Sequence, residues 1–381
     1  MTDVLVQGAG AVGSSLALAL SRQGLDVVLA RDVARPAGAA PDIRAYALNA
    51  ASLALLRELK VWDDLPADAV TPVHDMQIDG DAVGATLRFS AWTLSVPALA
   101  WIVDAAALEA SLDAALRFAP HVRTLDTAQA DAQKPAAALV AHCEGKASSA
   151  HEDLGVAFDR HDYEQSALAT RVVSTRPHGA TARQWFRSPD VLALLPLDRP
   201  EPAHSYAVVW SLPRQRALEL AKVAEAEFET ALNNATRHLG EGADAALGAL
   251  RLAGPRATWP LLQARARRVS GEAWVLLGDA AHVVHPLAGQ GLNLGLADVA
   301  TLAGVIAARE PWRGIGDARL LARYARRRAT PTATMLGLTD GLLRIFSAQA
   351  PFAKELRNRG LTLVDHLPLA KRWLAARAFG G

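Results

Sequence analysis

The sequence predicts an α/β protein in which a nucleotide-binding unit is interrupted by a mostly antiparallel sheet and followed by a helical C-terminal region. A strand, a glycine-rich turn, a helix and a second strand open the chain, an order typical of parallel, doubly wound sheets. Strand-like runs separated by Pro and Gly occupy the middle of the sequence. Another strand, turn and helix follow at 274–307, so the first unit is predicted to use both ends of the chain.

Composition excludes several classes of protein. The 381 residues are 51% hydrophobic with a net charge of +1, which provides a large core without the basic excess that nucleic-acid binding needs. Cys143 is the single cysteine, which excludes an intrachain disulfide framework and a CxxC metal site. We expect a cytoplasmic protein with no nucleic-acid partner, no leader segment, no metal and no membrane-spanning segment.

The opening unit predicts a strand over 3–7, a glycine turn over 8–13, a helix over 14–24 and a second strand over 25–30. Parallel strands joined through a helix form a right-handed crossover, which is the repeating unit of a doubly wound sheet. The chain therefore begins with the layout of a nucleotide-binding fold.

The later elements are predicted from apolar periodicity. Apolar patterns indicate helices in three places: within 45–65, ending near Lys60, over 107–118 and over 217–239. Short strands from about 167 to 212 indicate a second, mostly antiparallel sheet, and residues 274–279 indicate a further strand. The chain after Gln290 is predicted to be predominantly helical.

The glycine turn carries a dinucleotide-binding pattern. Gly8, Gly10 and Gly13 form GxGxxG between a strand and a helix, where they permit a tight turn, close approach to a pyrophosphate and close helix packing. Ala11 and Val12 belong to the same turn, where free N–H groups and the helix dipole favour an anion. A glycine turn that serves packing alone is the alternative. Because strand, turn and helix all match, we predict dinucleotide binding.

The second strand ends with an unexpected residue. Arg31 stands where an acid usually binds the ribose hydroxyls, and Asp32 follows it. Three explanations stay open: Asp32 substitutes through a one-residue shift, Arg31 contacts the nucleotide, or ribose recognition is weakened. If the third is correct, Arg31→Glu should modestly tighten binding of the nucleotide.

The stretch LLGDAAHVVHPLAGQGLNLGLAD, residues 276–298, combines a strand end with residues that weaken a helix. Gly278 and Asp279 end a buried strand, where the carboxylate could accept hydrogen bonds from a polyol chain. Pro286 then stops regular structure. Residues 289–291 begin a helix, so their glycines precede or open it and do not weaken its interior.

Two histidines, His282 and His285, lie in the same stretch. We interpret them as core residues whose nitrogens are hydrogen-bonded. Two histidines without a cluster of carboxylates do not make a metal site.

This stretch resembles the second FAD motif of the group A FAD-dependent aromatic monooxygenases, which share the para-hydroxybenzoate hydroxylase fold. Within that group it most resembles the ubiquinone-biosynthesis hydroxylases. Softer similarities cover nearly the whole chain, in RAYALNAASLALLRELKVWDDL around Arg44, WIVDAAALEASL, RPHG at 176–179, LALLPL and the tail YARRRATPTATMLGLTDGLLRIF.

The resemblance implies a hydroxylase that acts on the aromatic ring of a polyprenylated phenol in ubiquinone biosynthesis, with FAD as cofactor, NAD(P)H as co-substrate and O2. It implies that Asp279 binds the ribityl chain, that Arg44 lies near the phosphates, and that Pro286, Gly289 and Gln290 form the flavin-ring environment without an acid–base residue. The implied cofactor-binding residues are Gly8, Gly10, Ala11, Val12, Gly13, Arg31, Asp32, Arg44, Gly278, Asp279, Pro286, Gly289, Gln290, Gly291, Leu292 and Asn293.

The resemblance also divides the chain into regions. They are an FAD-binding, Rossmann-like three-layer domain (1–70, 100–165 and 265–320), an inserted substrate domain (71–99 and 166–264) and a C-terminal helical region (321–381). The substrate pocket should lie between the flavin and the inserted sheet. Candidate lining residues are Trp185, Phe186, Tyr206 and Trp210, with burial in the core as the alternative.

Several positions that handle the cofactor depart from the family pattern. An Asp-Gly pair followed by arginines is replaced by CEGKASSAH at 143–151, and a Glu-Asn-Arg is replaced by Asp104, Ala105 and Ala106. Together with Arg31, these changes support an alternative, a degenerate and noncatalytic accessory protein of a quinone-biosynthesis complex.

The tail alternates basic and apolar residues. Solvated faces of packed helices are one interpretation. The other is a surface for a partner protein or for peripheral contact with the inner membrane, because a polyprenyl substrate resides in the bilayer. The basic residues concerned are Arg323, Arg326, Arg327, Arg328, Arg344, Lys354, Arg357, Arg359, Lys371, Arg372 and Arg377.

Overall fold

The structure is a computed structural model. It describes residues 2–32, 42–80, 86–133, 135–148, 150–237, 247–285 and 290–347.

Strands and helices alternate at the start of the chain, strands dominate its middle and helices its end. The strands are β1 Thr2–Gln7, β2 Val27–Arg31, β3 Ala45–Leu48, β4 Val70–Val73, β5 Asp75–Asp79, β6 Thr86–Ser90, β7 Ala100–Asp104, β8 Val122–Asp126, β9 Ala137–His142, β10 Phe158–Ser174, β11 Thr181–Arg187, β12 Asp190–Leu197, β13 Ser205–Pro213, β14 Leu250–Leu252, β15 Ala257–Ala266, β16 Ser270–Gly271, β17 Trp274–Leu276 and β18 His282–Val283.

The helices are α1 Ala11–Ser21, α2 Ala50–Glu58, α3 Ala91–Leu94, α4 Ala105–Arg117, α5 Thr127–Gln133, α6 Ala150–Asp153, α7 Arg214–Leu220, α8 Glu225–Thr236, α9 Gln290–Ala307 and α10 Ala318–Ser347. Short 3-10 turns lie at Trp62–Asp64, Ala67–Ala69, Gly145–Ala147 and Gly278–Ala280.

The first sheet is the predicted doubly wound one. Its order is β16-β17-β9-β1-β2-β8, and β1 runs parallel to both β2 and β9. The late strand β17 also pairs in parallel with β9, with Trp274 opposite Val140. Strands covered on both faces must be apolar along their whole length, and the middle of β1 is fully buried. Both ends of the chain therefore build this sheet, as predicted.

The second sheet is mostly antiparallel, as predicted. Its order is β18-β15-β10-β13-β12-β11-β5-β6, with β14 paired to β10, and only β5 and β11 run parallel among these described strands. One of its faces packs on α7 through Ala217 and on α8 through Phe228 and Leu232.

That packing corrects most of the predicted pocket lining. Trp185, Tyr206 and Trp210 are at most 2% exposed and lie in the core against α7 and α8. The prediction that they line the substrate pocket was wrong, since neighbouring residues of a strand point to opposite faces and these three point at the helices. Phe186 points to the other face, where it packs near Tyr163.

Two predicted helices have different bounds. Residues 45–48 form β3, which pairs with β7, and α2 begins only after Asn49, whose side chain accepts a hydrogen bond from the Ser52 N–H (2.9 Å). The helix predicted over 217–239 is broken into α7 and α8. Arg256 donates to the carbonyl oxygens of Leu220 and Val223 (2.9 and 2.7 Å) at this break.

A buried ion pair joins a third, small sheet of order β3-β7-β4 to the second sheet. Asp104, at the end of β7, receives a hydrogen bond from Arg171 of β10 (2.6 Å), and their side chains are 5% and 13% exposed. The same carboxylate accepts from the Ala107 N–H (2.8 Å) and so caps α4. Asp104, which the sequence marked as a departure from the family, thus holds a helix and the second sheet together.

No helix in the described part of the chain is both long enough and apolar enough to cross a bilayer.

Candidate active site

The glycine turn leaves open space at the start of α1. A Cβ on Gly8, which has φ +94°, would lie 2.6 Å from the backbone of Cys143, and one on Gly13 would lie 1.8 Å from the Gly8 oxygen. A Cβ on Gly10 would meet nothing within 4 Å. Gly10 precedes α1 with no side-chain cap on the helix. Two glycines are thus needed for packing, and the third leaves uncapped N–H groups accessible, an arrangement that favours an anion.

Gly10→Ala is expected to weaken FAD binding by about tenfold or more, because the methyl group would occupy the space of the pyrophosphate. The free energy of unfolding without FAD should change by no more than about 0.5 kcal/mol, since the methyl group meets no protein atom. Titration of the apoprotein with FAD and urea denaturation measure the two quantities. The control is Gly304→Ala in α9, where the added methyl group would also meet no atom within 4 Å. Equal FAD affinities of the two variants would refute the assignment.

The turn that carries Asp279 packs directly on the start of α1. Gly278 has φ +58°, and a Cβ there would lie 3.2 Å from the Val12 side chain. A Cβ on Gly295 of α9 would lie 2.5 Å from the same side chain. The first and last parts of the predicted cofactor site are therefore adjacent in the fold.

Asp279 lies in a partly buried, electropositive position. Burial raises the pKa of its carboxyl group, and Lys146, His282 and Arg44 counteract that rise. No hydrogen bond to this carboxylate occurs within the described ranges. A charged acceptor without a partner beside cations is suited to a ligand that brings hydroxyl donors.

Arg44 is held in place by acids. Its Nε lies 3.0 Å from both oxygens of Asp42, and its guanidinium lies 3.4 Å from Glu109. The side chain remains 42% exposed and lies 5.7 Å from the Tyr46 ring centroid. It is thus positioned near Asp279 with donors still available to a phosphate, as the resemblance implies.

Arg31 and Asp32 both have partners inside the protein. Arg31 at the end of β2 forms a two-pronged ion pair with Asp113 of α4. Asp32 accepts a hydrogen bond from the Thr127 hydroxyl (2.8 Å). Arg31 therefore ties the strand to α4, a role that sequence alone did not suggest.

This ion pair changes the expected effect of Arg31→Glu. The new carboxylate would stand beside Asp113, so like-charge repulsion should offset any gain at the ribose, and we expect FAD binding to weaken or stay the same. The exposed pair contributes at most about 1 kcal/mol to stability. Titration of the apoprotein with FAD measures the effect, and Arg31→Glu combined with Asp113→Ala separates repulsion from a ribose contact. Tighter FAD binding by Arg31→Glu alone would show that Arg31 weakens recognition of the ribose.

The altered middle motif also has internal bonds. Glu144 accepts from the Ser148 hydroxyl (2.6 Å) and lies 3.8 Å from His142. Burial would raise the pKa of Glu144, but the nearby His142 and the hydrogen bond from Ser148 outweigh it and lower that pKa. Lys146 keeps a positive charge near Asp279.

Part of the predicted flavin-ring environment lies outside the described residues. This applies to Pro286, Gly289 and the side chain of Gln290. Gly291, Leu292 and Asn293 form the first turn of α9. The Asn293 amide donates to the Ala47 oxygen (2.8 Å), and its oxygen accepts from the Ser52 hydroxyl (2.7 Å), so this side chain fixes α9 against β3 and α2.

A buried network of charged side chains supports the turn that carries Asp279. Asp298 of α9, fully buried, bonds to His282 Nε2 (2.7 Å), to Arg328 Nε of α10 (2.5 Å) and to the Gly278 N–H (2.9 Å). The interpretation of a bonded core histidine is confirmed for His282. Arg328 is 8% exposed, so both interpretations of the basic tail were wrong for this residue. Sequence reasoning passed over Asp298, although it ends the quoted motif.

His285 behaves differently from His282. It is 1% exposed, its ring stands edge-on to Tyr163 (5.3 Å between centroids), and neither ring nitrogen has a hydrogen-bond partner among the described residues. Burial and, next, Lys146 lower its pKa to about 4, so the imidazole is neutral at pH 7. The interpretation of a bonded core residue was wrong here. Two open, buried nitrogens immediately before Pro286 indicate a ligand contact.

His285 should make stability depend on pH. Because its folded pKa of about 4 lies below the unfolded value, stability is retained above about pH 6.5 and lost as pH falls toward 4, by up to roughly 3 kcal/mol. His285→Phe should flatten this dependence in urea denaturation of the apoprotein. The exposed His74→Phe is the control and should leave it intact. An unchanged profile in His285→Phe would contradict the burial argument.

Within the described residues no group of three or more His, Cys, Asp or Glu could hold a metal ion.

Comparisons with known proteins agree with this geometry. A family model described as FAD binding domain matches residues 1–337. Ubiquinone hydroxylase UbiL of Rhodospirillum rubrum is 30% identical over 398 residues, covering 100% of this chain and 90% of that protein. The 3-demethoxyubiquinol 3-hydroxylase of Escherichia coli K12 is 30% identical over 400 residues, covering 100% and 98%. In fold, the chain resembles p-nitrophenol 4-monooxygenase PnpA of Pseudomonas putida DLL-E4 (TM-score 0.74, 20% identity, 100% and 98% covered).

Proposed function

Since the chain belongs to the family of the FAD binding domain, we propose that it is an FAD-dependent monooxygenase that hydroxylates the aromatic ring of a polyprenylated phenol in ubiquinone biosynthesis. It would use NAD(P)H and O2. Within the family it is most similar to the ubiquinone-biosynthesis hydroxylases. One observation carries the proposal: the open phosphate turn at Gly10 and the electropositive Asp279 turn, from opposite ends of the chain, pack together on Val12.

FAD fits the residues that the structure brings together. The Gly10 turn offers uncapped N–H groups to the pyrophosphate, Asp279 offers an acceptor to the ribityl hydroxyls, and Arg44 offers donors to the phosphates. Bound FAD would supply the electron transfer from NAD(P)H and the reaction with O2 that side chains cannot perform. The protein would bind it, orient it and exclude water.

His285 is proposed to orient the phenol. A neutral imidazole can accept a hydrogen bond from a hydroxyl group at one nitrogen and donate one at the other. Satisfying these nitrogens recovers a desolvation penalty of about 1–3 kcal/mol for each, which favours a ligand that supplies a hydroxyl group. Phe186 and Tyr163, on the same face of the second sheet, would provide apolar walls beside it.

The tail is proposed to provide peripheral contact with a membrane or with a quinone-biosynthesis complex. Arg326 and Arg327 of α10 are exposed, while Arg323 binds Glu310 and Arg328 is buried. The basic residues beyond 347 lie outside the described chain. A lipophilic phenol has to be taken from the bilayer, and exposed basic residues favour anionic lipid surfaces.

The alternative of a noncatalytic accessory protein rested on the changed residues. The structure gives Arg31, Asp104 and Glu144 partners within the fold, so these changes do not require a lost function. Two relatives that are 30% identical to this chain are named as hydroxylases.

Purified protein tests the proposal directly. It should be yellow, and NADH or NADPH should bleach the flavin absorbance under anaerobic conditions, with recovery in air. A strain that lacks the gene should accumulate a ubiquinone precursor that is one hydroxyl group short. A colourless protein that FAD cannot reconstitute, or a deletion strain with normal quinone intermediates, would contradict the proposed function.

A further inference from the structure

An arginine-lined cleft lies between the end of β15 and helix α10. Its volume is about 310 Å³, within the range of small ligand sites. Asp298 is the single acidic residue on its lining in the part of the chain that the structure describes. Five arginines contribute to its walls, Arg265, Arg267, Arg268, Arg326 and Arg328.

Two of the five arginines are neutralised. Arg328 is bonded to Asp298 in the buried network (2.5 Å). Arg267 forms a two-pronged ion pair with Asp159, through Nε at 2.9 Å and its terminal nitrogen at 2.8 Å. These pairs use Asp298, which lines the cleft, and Asp159, which is bonded to one of its arginines.

The other three arginines form no ion pair with any described residue: Arg265, Arg268 and Arg326. All three are exposed. The Arg268 guanidinium lies 5.1 Å from the Trp274 ring centroid, a stacking contact that restricts its position but does not neutralise it. Asp159 also interacts electrostatically with Arg265. Two acids, Asp159 and Asp298, thus offset part of the charge of five arginines, and the cleft keeps an excess of positive charge on opposing walls, one formed by the end of β15 and one by α10.

A buried hydroxyl group also lines the cleft. Thr332 of α10 is 6% exposed, and its Oγ1 is fully buried without a hydrogen-bond partner in the described ranges of the chain. A helical threonine usually bonds its hydroxyl to a carbonyl one turn earlier, as Thr339 and Thr301 do here. An unbonded buried hydroxyl is costly and indicates a partner other than the residues that the structure describes.

We propose that this arginine-lined cleft binds a phosphate group, carried by a small molecule or by a lipid headgroup. Guanidinium groups bind phosphate oxygens through paired N–H donors, and several arginines can surround the tetrahedral group at once. The Thr332 hydroxyl supplies a further donor. Asp298 and Arg328 border the cleft, and Asp298 also accepts a hydrogen bond from the Gly278 N–H, so a phosphate there would contact the network that supports the Asp279 turn.

Full-length protein saturated with FAD allows the test. Pyrophosphate binding is measured by calorimetry, and co-sedimentation is measured with phosphatidylglycerol vesicles and with phosphatidylcholine vesicles. The cleft variant is Arg265→Gln with Arg326→Gln. The control, Arg57→Gln with Arg123→Gln, removes the same charge from exposed positions outside the cleft.

The cleft variant should bind pyrophosphate, or phosphatidylglycerol vesicles, at least about tenfold more weakly than wild type, while the control stays within about twofold. Loss with pyrophosphate identifies a free phosphate compound as the ligand, and loss with vesicles alone identifies a headgroup. Equal losses in both variants, or no binding of either probe to wild type, would overturn the proposal. Flavin content should be unchanged in the cleft variant, which separates this test from that of the proposed function.

Discussion

Asp298→Ala is expected to destabilise the protein by about 3–5 kcal/mol, because it leaves the buried charge of Arg328 without its carboxylate partner. The same change removes the acceptor for His282 and for the Gly278 N–H. Urea denaturation followed by circular dichroism measures the loss. Flavin binding should weaken as well, since the turn with Asp279 depends on that N–H contact.

The matched control for Asp298 is Asp113→Ala, which removes the carboxylate partner of Arg31 at an exposed position. It should cost no more than about 1 kcal/mol. Asp298→Asn keeps the shape of the side chain without its charge, so it should lose less stability than Asp298→Ala but remain less stable than wild type. Equal losses of stability for Asp113→Ala and Asp298→Ala would show that the buried network stabilises the protein no more than an exposed ion pair does.

The stability that this network provides should decrease both when the pH falls and when it rises. Burial opposes the charged form of Asp298, but His282 and Arg328 outweigh it and lower the pKa, so its contribution is present above about pH 4 and lost as pH falls through the folded pKa. For His282, burial lowers the pKa but Asp298 outweighs it and raises it. That contribution is full below about pH 6.5 and lost as pH rises through the folded pKa. Asp298→Asn should remove both dependences.

Asp279→Ala is expected to abolish stable flavin binding while the protein remains folded. The carboxylate accepts no hydrogen bond from the described residues, so its removal costs the fold little. Each hydrogen bond that it would lose to a ribityl hydroxyl is worth about 1.5–3 kcal/mol, or more than about tenfold in affinity. Flavin retained after gel filtration and titration of the apoprotein with FAD measure the effect.

The control for Asp279 is Asp75→Ala, an exposed carboxylate on the second sheet. It should keep wild-type flavin content. Because burial raises the pKa of Asp279, its removal should leave the apoprotein as stable or slightly more stable. Undiminished FAD retention in Asp279→Ala would remove this residue from the site.

Local patterns predicted most of the fold. The GxGxxG turn, the parallel first sheet, the antiparallel second sheet and the use of both chain ends were all expected from periodicity and glycine placement. The prediction failed at 45–48, where four apolar residues fit a strand as well as a helix and pairing with β7 decided the outcome. Such a choice depends on a distant strand, which a local pattern does not contain.

Local sequence patterns also could not predict which side chains bond to one another in the site. Asp279 was predicted because a family motif marks it, whereas its support by Asp298 and Arg328 requires the position of α10. Two histidines three residues apart looked equivalent in sequence, and only packing shows that one is bonded and the other is open. Arg31 looked like a defect because Asp113 lies far along the chain.

The pairing of β17 with β9 determines when the N-terminal sheet can be completed during synthesis of the chain. A nascent chain that ends at residue 266 still lacks β17, the Asp279 turn and α9, so the N-terminal sheet keeps an open edge at β9 and the site is incomplete. Such an edge favours aggregation until the last third of the chain emerges from the ribosome. Ribosome-bound chains whose emerged part ends at 266 should be cut rapidly by protease, and chains exposed through 347 should resist it. Equal resistance of the two would show that the N-terminal sheet folds without its late strand.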